Sequence, residues 1–132
     1  MEQTAARESR ELQRREQLYR GARGRPAVTG RTVIVVDDGL ATGATMHAAV
    51  TALRHLHPSR IVIAAPVGAP ETCQRLQQYA DEVVCAQMPR ELRAVGLWYR
   101  EFTQTSDDEV RAVLSRFSAQ RSWAGATDTS TD

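Results

Sequence analysis

Three short runs of apolar residues, separated by helix-like segments, constrain the fold of this chain more than any other feature. The first run, Thr32–Val36, has no charged residue, and the other two are Arg60–Ala65 and Glu82–Cys85. Such runs are typical of strands that are buried on both faces of a parallel sheet. Strands that alternate with helices are joined by right-handed crossovers. The pattern therefore predicts an α/β fold, with a parallel sheet and helices on both of its faces in a three-layer arrangement.

The charged residues divide the chain into segments of different character. At 132 residues the chain has room for one domain with its own core. The first 31 residues hold eight Arg and four Glu, whereas the rest of the chain holds nine Arg and twelve acidic residues. We predict a charged helix with i,i+4 ion pairs over residues 1–20, an α/β domain over 21–119 and a disordered tail over 120–132. The capping-box sequence Ser106–Glu109 predicts the start of a last helix that ends near Ser118.

Several kinds of chemistry are excluded or disfavoured by the residues present. All 17 basic residues are Arg, and without Lys neither a Walker-type phosphate loop nor Schiff-base chemistry is possible. Cys73 and Cys85 are too far apart in sequence for a CxxC pair, so we expect free thiols. His47, His55 and His57 have no further ligands at a suitable spacing, and we predict no metal site made of protein ligands alone. No apolar run approaches the ~18 residues of a membrane span and the first residues are polar, so we expect a cytoplasmic protein with no membrane partner.

The segment after the first predicted strand has the composition of a binding loop. Ligands of parallel sheets bind beyond the carboxyl ends of the strands, where loops lead into helix N-termini. Gly43 allows a tight turn in which consecutive N–H groups converge on a phosphate, and Thr42 and Thr45 add hydroxyl donors. Asp37 and Asp38 would repel a phosphate that they faced directly. They suit a sugar diol beside it, because ionised carboxylates only accept hydrogen bonds.

The run VIVVDDGLATGAT, from Val33 to Thr45, resembles the phosphoribosyl pyrophosphate motif of type I phosphoribosyltransferases at all thirteen positions. The resemblance implies that Asp37 and Asp38, the catalytic pair, bind the 2′- and 3′-hydroxyls of the ribose. It implies that the 5′-phosphate is held by Ala41, Thr42, Gly43, Ala44 and Thr45. The implied chemistry is displacement of pyrophosphate from C1 by a base or an amine. Mg²⁺ is the implied cofactor, bound with the pyrophosphate substrate, and no metal ligand is assigned to the chain itself.

A second segment, Leu92–Tyr99, is similar to the part of purine-using family members that packs on the base. Leu92 stands where those members have an aromatic residue. Trp98 is then the candidate for stacking on the base. The alternative is that Trp98 and Tyr99 only cover an edge of the sheet.

The resemblance extends from Arg31 to Phe102, which corresponds to the later half of a family domain. The pyrophosphate-binding loop and the mobile catalytic loop of the family have no counterpart before Arg31, so we expect a truncated domain. The strand at Val33–Val36 would then be an apolar edge, which invites pairing with another strand. A second copy of the chain, the N-terminal segment or the rest of a longer protein would cover it, and we expect a homo-oligomer.

The functional prediction is a phosphoribosyltransferase-like protein that binds phosphoribosyl pyrophosphate or a nucleotide 5′-phosphate, and that transfers the phosphoribosyl group to a nitrogenous base if it is active. The first alternative is a non-catalytic module that senses the same ligands, and the second is a fragment of a longer phosphoribosyltransferase. Binding of nucleic acid by the Arg-rich N-terminal helix is disfavoured, because its four Glu reduce the positive field.

Overall fold

The structure is a computed structural model that describes residues 2–21 and 26–124 of the chain. The helices are α1 (Glu2–Arg20), α2 (Ala44–Arg54), α3 (Pro70–Leu76) and α4 (Asp107–Ala124), the strands are β1 (Thr32–Val36), β2 (Arg60–Val67) and β3 (Glu82–Gln87), and a 3-10 helix spans Val95–Trp98. Within the described ranges, no helix is both long enough and apolar enough to cross a membrane.

The described residues form two compact units, one of residues 26–102 and one of residues 2–21 together with 103–124. In the second unit, helices α1 and α4 contact each other. The Tyr19 hydroxyl donates to Oδ1 of Asp107 at 2.6 Å, and the predicted i,i+4 pairing within α1 is present between Glu11 and Arg15 at 3.0 Å. The domain boundaries drawn from the sequence stay predictions.

Helix α4 begins as the capping box predicts. The Ser106 hydroxyl oxygen accepts the Glu109 N–H at 3.2 Å, and the Glu109 carboxylate accepts the Ser106 N–H at 2.8 Å. The helix continues to Ala124, so the predicted end near Ser118 is wrong. The continuation has a local reason, because no Gly or Pro interrupts residues 107–124 and the first Gly after the helix is Gly125. Residues 125–132 of the predicted tail lie outside the described residues.

The three strands form a parallel sheet in the order β1-β2-β3, which confirms the predicted α/β class. In the register, Thr32 pairs with Arg60 on one side of β2, and Val62 pairs with Glu82 on the other. Strand β2 is therefore central. Its side chains Ile61 and Ile63 are completely buried.

Both crossover helices lie on the same face of this sheet. Met46 and Val50 of α2 and Leu76 of α3 form one core cluster with Ile61 and Ile63 of β2. The reason is topological: when strands are added in one direction, right-handed crossovers place every connecting helix on the same side. The sequence predicted helices on both faces of the sheet, but neither α2 nor α3 covers the face opposite to this core.

Strand β1 lies at an edge of the sheet, as the sequence predicted, but it is not buried on both faces. Ile34 and Val36 are 62% and 72% exposed, and Val84 of β3, on the same face, is 48% exposed. The prediction of two buried faces is wrong because α2 and α3 cover only the face that contains Val35.

Candidate functional site

The loop between β1 and α2, residues 37–43, starts at the carboxyl end of β1 and is fixed to strand β2. The N–H of Asp37 donates to the carbonyl of Ala64 at 3.2 Å and so continues the strand pairing by one residue. Leu40 then forms an isolated parallel bridge with Gly68, and its N–H donates to Val67 at 2.9 Å. Leu40 is only 1% exposed, so its side chain anchors the β1–α2 loop in the core.

Gly43 makes the turn from this loop into α2. It has a φ of 73°, and it occupies the N-cap position with no side-chain cap. A Cβ atom at Gly43 would lie 2.7 Å from Cγ2 of Thr72, closer than side chains pack. The first helical turn closes with the N–H of His47 donating to the carbonyl of Gly43 at 2.8 Å. Both the positive φ and the lack of space require glycine here.

Three consecutive carbonyls of the loop are held by the segment that follows β2. The Leu40 carbonyl accepts the N–H of Ala69 at 2.9 Å. The Ala41 carbonyl accepts the Thr72 hydroxyl at 2.6 Å, and the Thr42 carbonyl accepts a guanidinium N–H of Arg75. The N–H groups of Ala41, Thr42, Gly43 and Thr45 have no acceptor in the described part of the chain.

These unpaired N–H groups lie at the N-terminal end of α2, where the helix dipole adds positive potential. Ala41, Thr42, Ala44 and Thr45 are all exposed to solvent. The Thr42 hydroxyl oxygen accepts a long hydrogen bond of 3.4 Å from the N–H of Ala44. The arrangement offers several donors to an anion that approaches from solvent.

The two acidic residues of the loop are in different surroundings. Asp37 is partly buried, and its Oδ1 accepts the N–H of Asp38 at 2.8 Å. Burial raises the pKa of the Asp37 carboxyl, and the neighbouring Asp38 carboxylate raises it further. Asp38 is exposed. The loop thus presents one exposed carboxylate and, beside it, a second carboxylate that is partly shielded from solvent.

The segment Val95–Tyr99 also contacts the β1–α2 loop. A Cβ atom at Gly39 would lie 2.4 Å from Cγ2 of Val95, so the side chain of Val95 occupies the space beside Gly39. The Tyr99 hydroxyl donates to the backbone carbonyl of Asp38 at 2.6 Å. Burial raises the pKa of Tyr99, and the negative charges of Asp38 and Asp37 add to this effect.

Trp98, singled out from the sequence, is 46% exposed. The contacts described for this segment with the loop come from Val95 and Tyr99. The role of Trp98 stays a prediction. Sequence reasoning missed the contacts of Tyr99, Thr72 and Arg75 because each is formed between residues at least 31 positions apart, and no local pattern predicts such pairs.

The described residues contain no cluster of three or more His, Cys, Asp or Glu side chains able to hold a metal ion. Asp37 and Asp38 supply two carboxylates. Mg²⁺ prefers oxygen ligands and is commonly bound through one or two carboxylates together with substrate phosphates. The donor set therefore fits Mg²⁺ only in company with a phosphorylated ligand.

Comparison with known proteins decides the family. Residues 1–101 match the family model described as phosphoribosyl transferase domain. The chain belongs to the phosphoribosyl transferase family. This confirms the family that the VIVVDDGLATGAT motif indicated, and the match begins 30 residues before the resemblance read from the sequence.

The chain is similar to proteins from two strains of Mycobacterium tuberculosis that carry the name “Putative phosphoribosyl transferase”. The identity is 48% over 122 residues, which are 92% of this chain and 28% of each relative. It is also similar to the crystal structure of TT1426 from Thermus thermophilus, with 42% identity and a TM-score of 0.76, over 87% of this chain and 55% of that chain. This phosphoribosyl transferase chain thus spans a little over a quarter of the length of the curated relatives that it matches.

Proposed function

We propose that the β1–α2 loop binds the phosphoribosyl group of phosphoribosyl pyrophosphate or of a nucleotide, and that the chain takes part in phosphoribosyl transfer to a nitrogenous base. The observation that carries this proposal is a run of N–H groups in Ala41–Gly43 that have no acceptor among residues 2–21 and 26–124, next to the acidic pair Asp37 and Asp38.

The N–H groups and the start of α2 suit the 5′-phosphate. An anion at this position would accept hydrogen bonds from Ala41, Thr42 and Gly43 and would interact favourably with the helix dipole. The hydroxyls of Thr42 and Thr45 are exposed and free to add further donors.

The acidic pair suits the ribose. Hydroxyls at C2 and C3 would donate to the carboxylates, and hydrogen bonds to charged acceptors are stronger than neutral ones. Asp38 is exposed and would reach such a diol directly, whereas Asp37 already accepts the N–H of Asp38. Mg²⁺, when bound with the pyrophosphate, would neutralise charge on the leaving group. The carboxylates of Asp37 and Asp38 would hold the Mg²⁺ ion beside the ribose.

Calorimetry with phosphoribosyl pyrophosphate and Mg²⁺ tests the binding step. We expect saturable binding that requires Mg²⁺, and ribose 5-phosphate should compete with it. Release of pyrophosphate should then be measured over a panel of purine and pyrimidine bases. Absence of binding in the presence of Mg²⁺ would contradict the proposal.

A non-catalytic module that senses the same ligands is the second candidate. Its supporting observation is that the N–H groups and carboxylates described in the β1–α2 loop account for ligand binding by themselves. Binding of phosphoribosyl pyrophosphate without release of pyrophosphate, for every base tested, would support this candidate. Turnover with any base would exclude it.

We propose in addition that the chain forms a homo-oligomer. Strand β1 pairs only with β2 among the described residues, and its side chains Ile34 and Val36 are largely exposed. An apolar strand edge of this kind is usually covered in natural proteins, and two-fold dimers are the commonest closed assembly. Light scattering over a dilution series should show a mass above 14.6 kDa that falls on dilution. A constant monomer mass down to micromolar concentration would contradict this.

A further inference from the structure

We propose that Thr72 and Arg75 of α3 are positioning residues, which orient the N–H groups of the β1–α2 loop for phosphate. The inference rests on the proposed function, since it concerns how the same loop recognises its ligand. Neither residue belongs to the loop, and neither contributes a donor to the phosphate itself. They donate hydrogen bonds to the carbonyl oxygens of the same peptide groups whose N–H groups would face the ligand.

The planarity of the peptide bond makes this coupling direct. In a trans peptide the C=O of one residue and the N–H of the next lie in one plane and point in opposite directions. A hydrogen bond that holds the Ala41 carbonyl toward α3 therefore turns the Thr42 N–H away from α3. In the same way, the hydrogen bond from Arg75 to the Thr42 carbonyl turns the Gly43 N–H away from α3. The hydrogen bond from the Ala69 N–H to the Leu40 carbonyl turns the Ala41 N–H outward. These three N–H groups are among the four that have no acceptor in the described part of the chain.

Thr72 controls the loop through both branches of its side chain. Its hydroxyl donates to the Ala41 carbonyl at 2.6 Å. Its methyl group Cγ2 occupies the space beside Gly43, only 2.7 Å from where a Cβ atom would be. The side chain is 4% exposed and is the buried polar side chain of the described core. A β-branched side chain has few rotamers, so packing of the methyl group also fixes the direction of the hydroxyl.

Arg75 adds a charged donor to the same arrangement. Its guanidinium donates to the Thr42 carbonyl, and Nη2 lies 3.6 Å from the position of a Cβ atom on Gly43. A positive charge at this distance from the turn attracts an anion even though its own N–H is directed at the carbonyl. Because Arg75 is exposed, water screens this attraction, and we assign the larger part of the effect to Thr72.

Two substitutions at Thr72 separate the hydroxyl from the methyl group. Thr72→Val keeps the shape of the side chain and removes the hydroxyl, whereas Thr72→Ser keeps the hydroxyl and removes the methyl group. Titration with inorganic phosphate and with ribose 5-phosphate, followed by amide chemical shifts, should show about fivefold weaker binding in Thr72→Val, the effect of one ordinary hydrogen bond. The loss should be equal for both ligands, because the phosphate cradle alone is changed. Thr72→Ser should stay within about twofold of the unsubstituted protein.

Arg75 is tested in the same way by two substitutions, one that keeps the positive charge and one that removes it. Arg75→Lys keeps the positive charge and one donor, and we expect it to bind phosphate nearly as well as the original chain. Arg75→Met removes both, and we expect a loss of about two- to threefold. If Arg75→Met bound phosphate as well as the unsubstituted protein, Arg75 would have no positioning role.

The ligand-free protein distinguishes a failure of this inference from a failure of the proposed function. Backbone ¹⁵N relaxation should show that the amides of Ala41–Gly43 become more mobile in Thr72→Val and remain ordered in Thr72→Ser. If the unsubstituted protein bound no phosphate but these amides loosened as described, only the proposed function would be refuted. If Thr72→Val left both the relaxation and the phosphate affinity unchanged, the positioning role would be refuted.

Discussion

Replacement of Gly43 by Ala is the most direct test of the geometry of the β1–α2 loop. The φ of 73° at Gly43 costs an L-residue about 1–2 kcal/mol. The new Cβ atom would also lie 2.7 Å from Cγ2 of Thr72, and insertion of a methyl group into a packed site costs about 1–3 kcal/mol. After a small gain from the stiffer unfolded chain, we expect Gly43→Ala to lower the free energy of unfolding by about 2–4 kcal/mol.

Gly30 provides a matched control. Its φ is 70°, almost the same as that of Gly43, but a Cβ atom there would meet nothing within 4 Å. Gly30→Ala should therefore lower the free energy of unfolding only by the cost of the positive φ, about 1 kcal/mol. Urea unfolding of the two variants, analysed by linear extrapolation, measures the difference. If Gly43→Ala were no more destabilising than Gly30→Ala, the close contact between Gly43 and Thr72 would not constrain the loop.

A double-mutant cycle locates the steric part of the cost. Thr72→Ser removes the methyl group that the new Cβ atom would meet, and it keeps the hydroxyl that holds the Ala41 carbonyl. In this background, Gly43→Ala should cost about 1 kcal/mol, as Gly30→Ala does. An unchanged cost in the Thr72→Ser background would show that the destabilisation arises elsewhere.

Further predictions concern binding, thiol chemistry and helix capping. Asp37→Asn and Asp38→Asn should weaken binding of ribose 5-phosphate by about 1.5–3 kcal/mol more than binding of inorganic phosphate; equal losses would place the carboxylates on the phosphate instead. Burial, together with the neighbouring thiol, raises the pKa of Cys85 to about 12, so iodoacetamide should alkylate it much more slowly at pH 8 in the folded protein than in urea. Rapid alkylation of the folded protein at pH 8 would contradict the raised pKa. Because the pKa of Cys85 is higher in the folded than in the unfolded protein, the stability that its thiol contributes is fully present below the unfolded pKa and should be lost as the pH rises toward 12. Ser106→Ala removes the hydroxyl that accepts the Glu109 N–H at 3.2 Å, and it should lower the free energy of unfolding by about 1 kcal/mol. The pKa of Glu109, which hydrogen bonds from Ser106 lower, should rise in this variant. An unchanged unfolding midpoint would refute the capping role of Ser106.

The parts of the fold that follow from local chemistry were predictable from the sequence. The strand Thr32–Val36 and the turn at Gly43 are determined by neighbouring residues, and the structure has both. The exposure of Ile34 was not predictable in this way. It depends on which faces α2 and α3 cover, and that follows from the order in which the strands are added to the sheet.

The candidate site shows the same division between local and distant determinants. The acidic pair and the small residues of the loop are contiguous, so a motif could reveal them. Thr72, Arg75 and Tyr99 reach the loop from 31 to 61 positions away in sequence. Threonine, arginine and tyrosine at these positions have ordinary roles in most proteins, and only tertiary contacts identify them as neighbours of the loop.

The loop combines two kinds of groups with opposite preferences, and their combination restricts the ligand. The N–H groups of Ala41–Gly43 are solvent-accessible, so water satisfies them in the free protein, and an anion that bound there would replace that water. The carboxylates of Asp37 and Asp38 lie at the start of the same loop, and they repel a second anion unless a cation or a hydrogen-bond donor separates it from them. A simple polyphosphate satisfies only the N–H groups, and a neutral sugar satisfies only the carboxylates. A sugar that carries a phosphate at one end and free hydroxyls at the other satisfies both, so we infer that phosphorylated sugars bind to this loop in preference to either part alone.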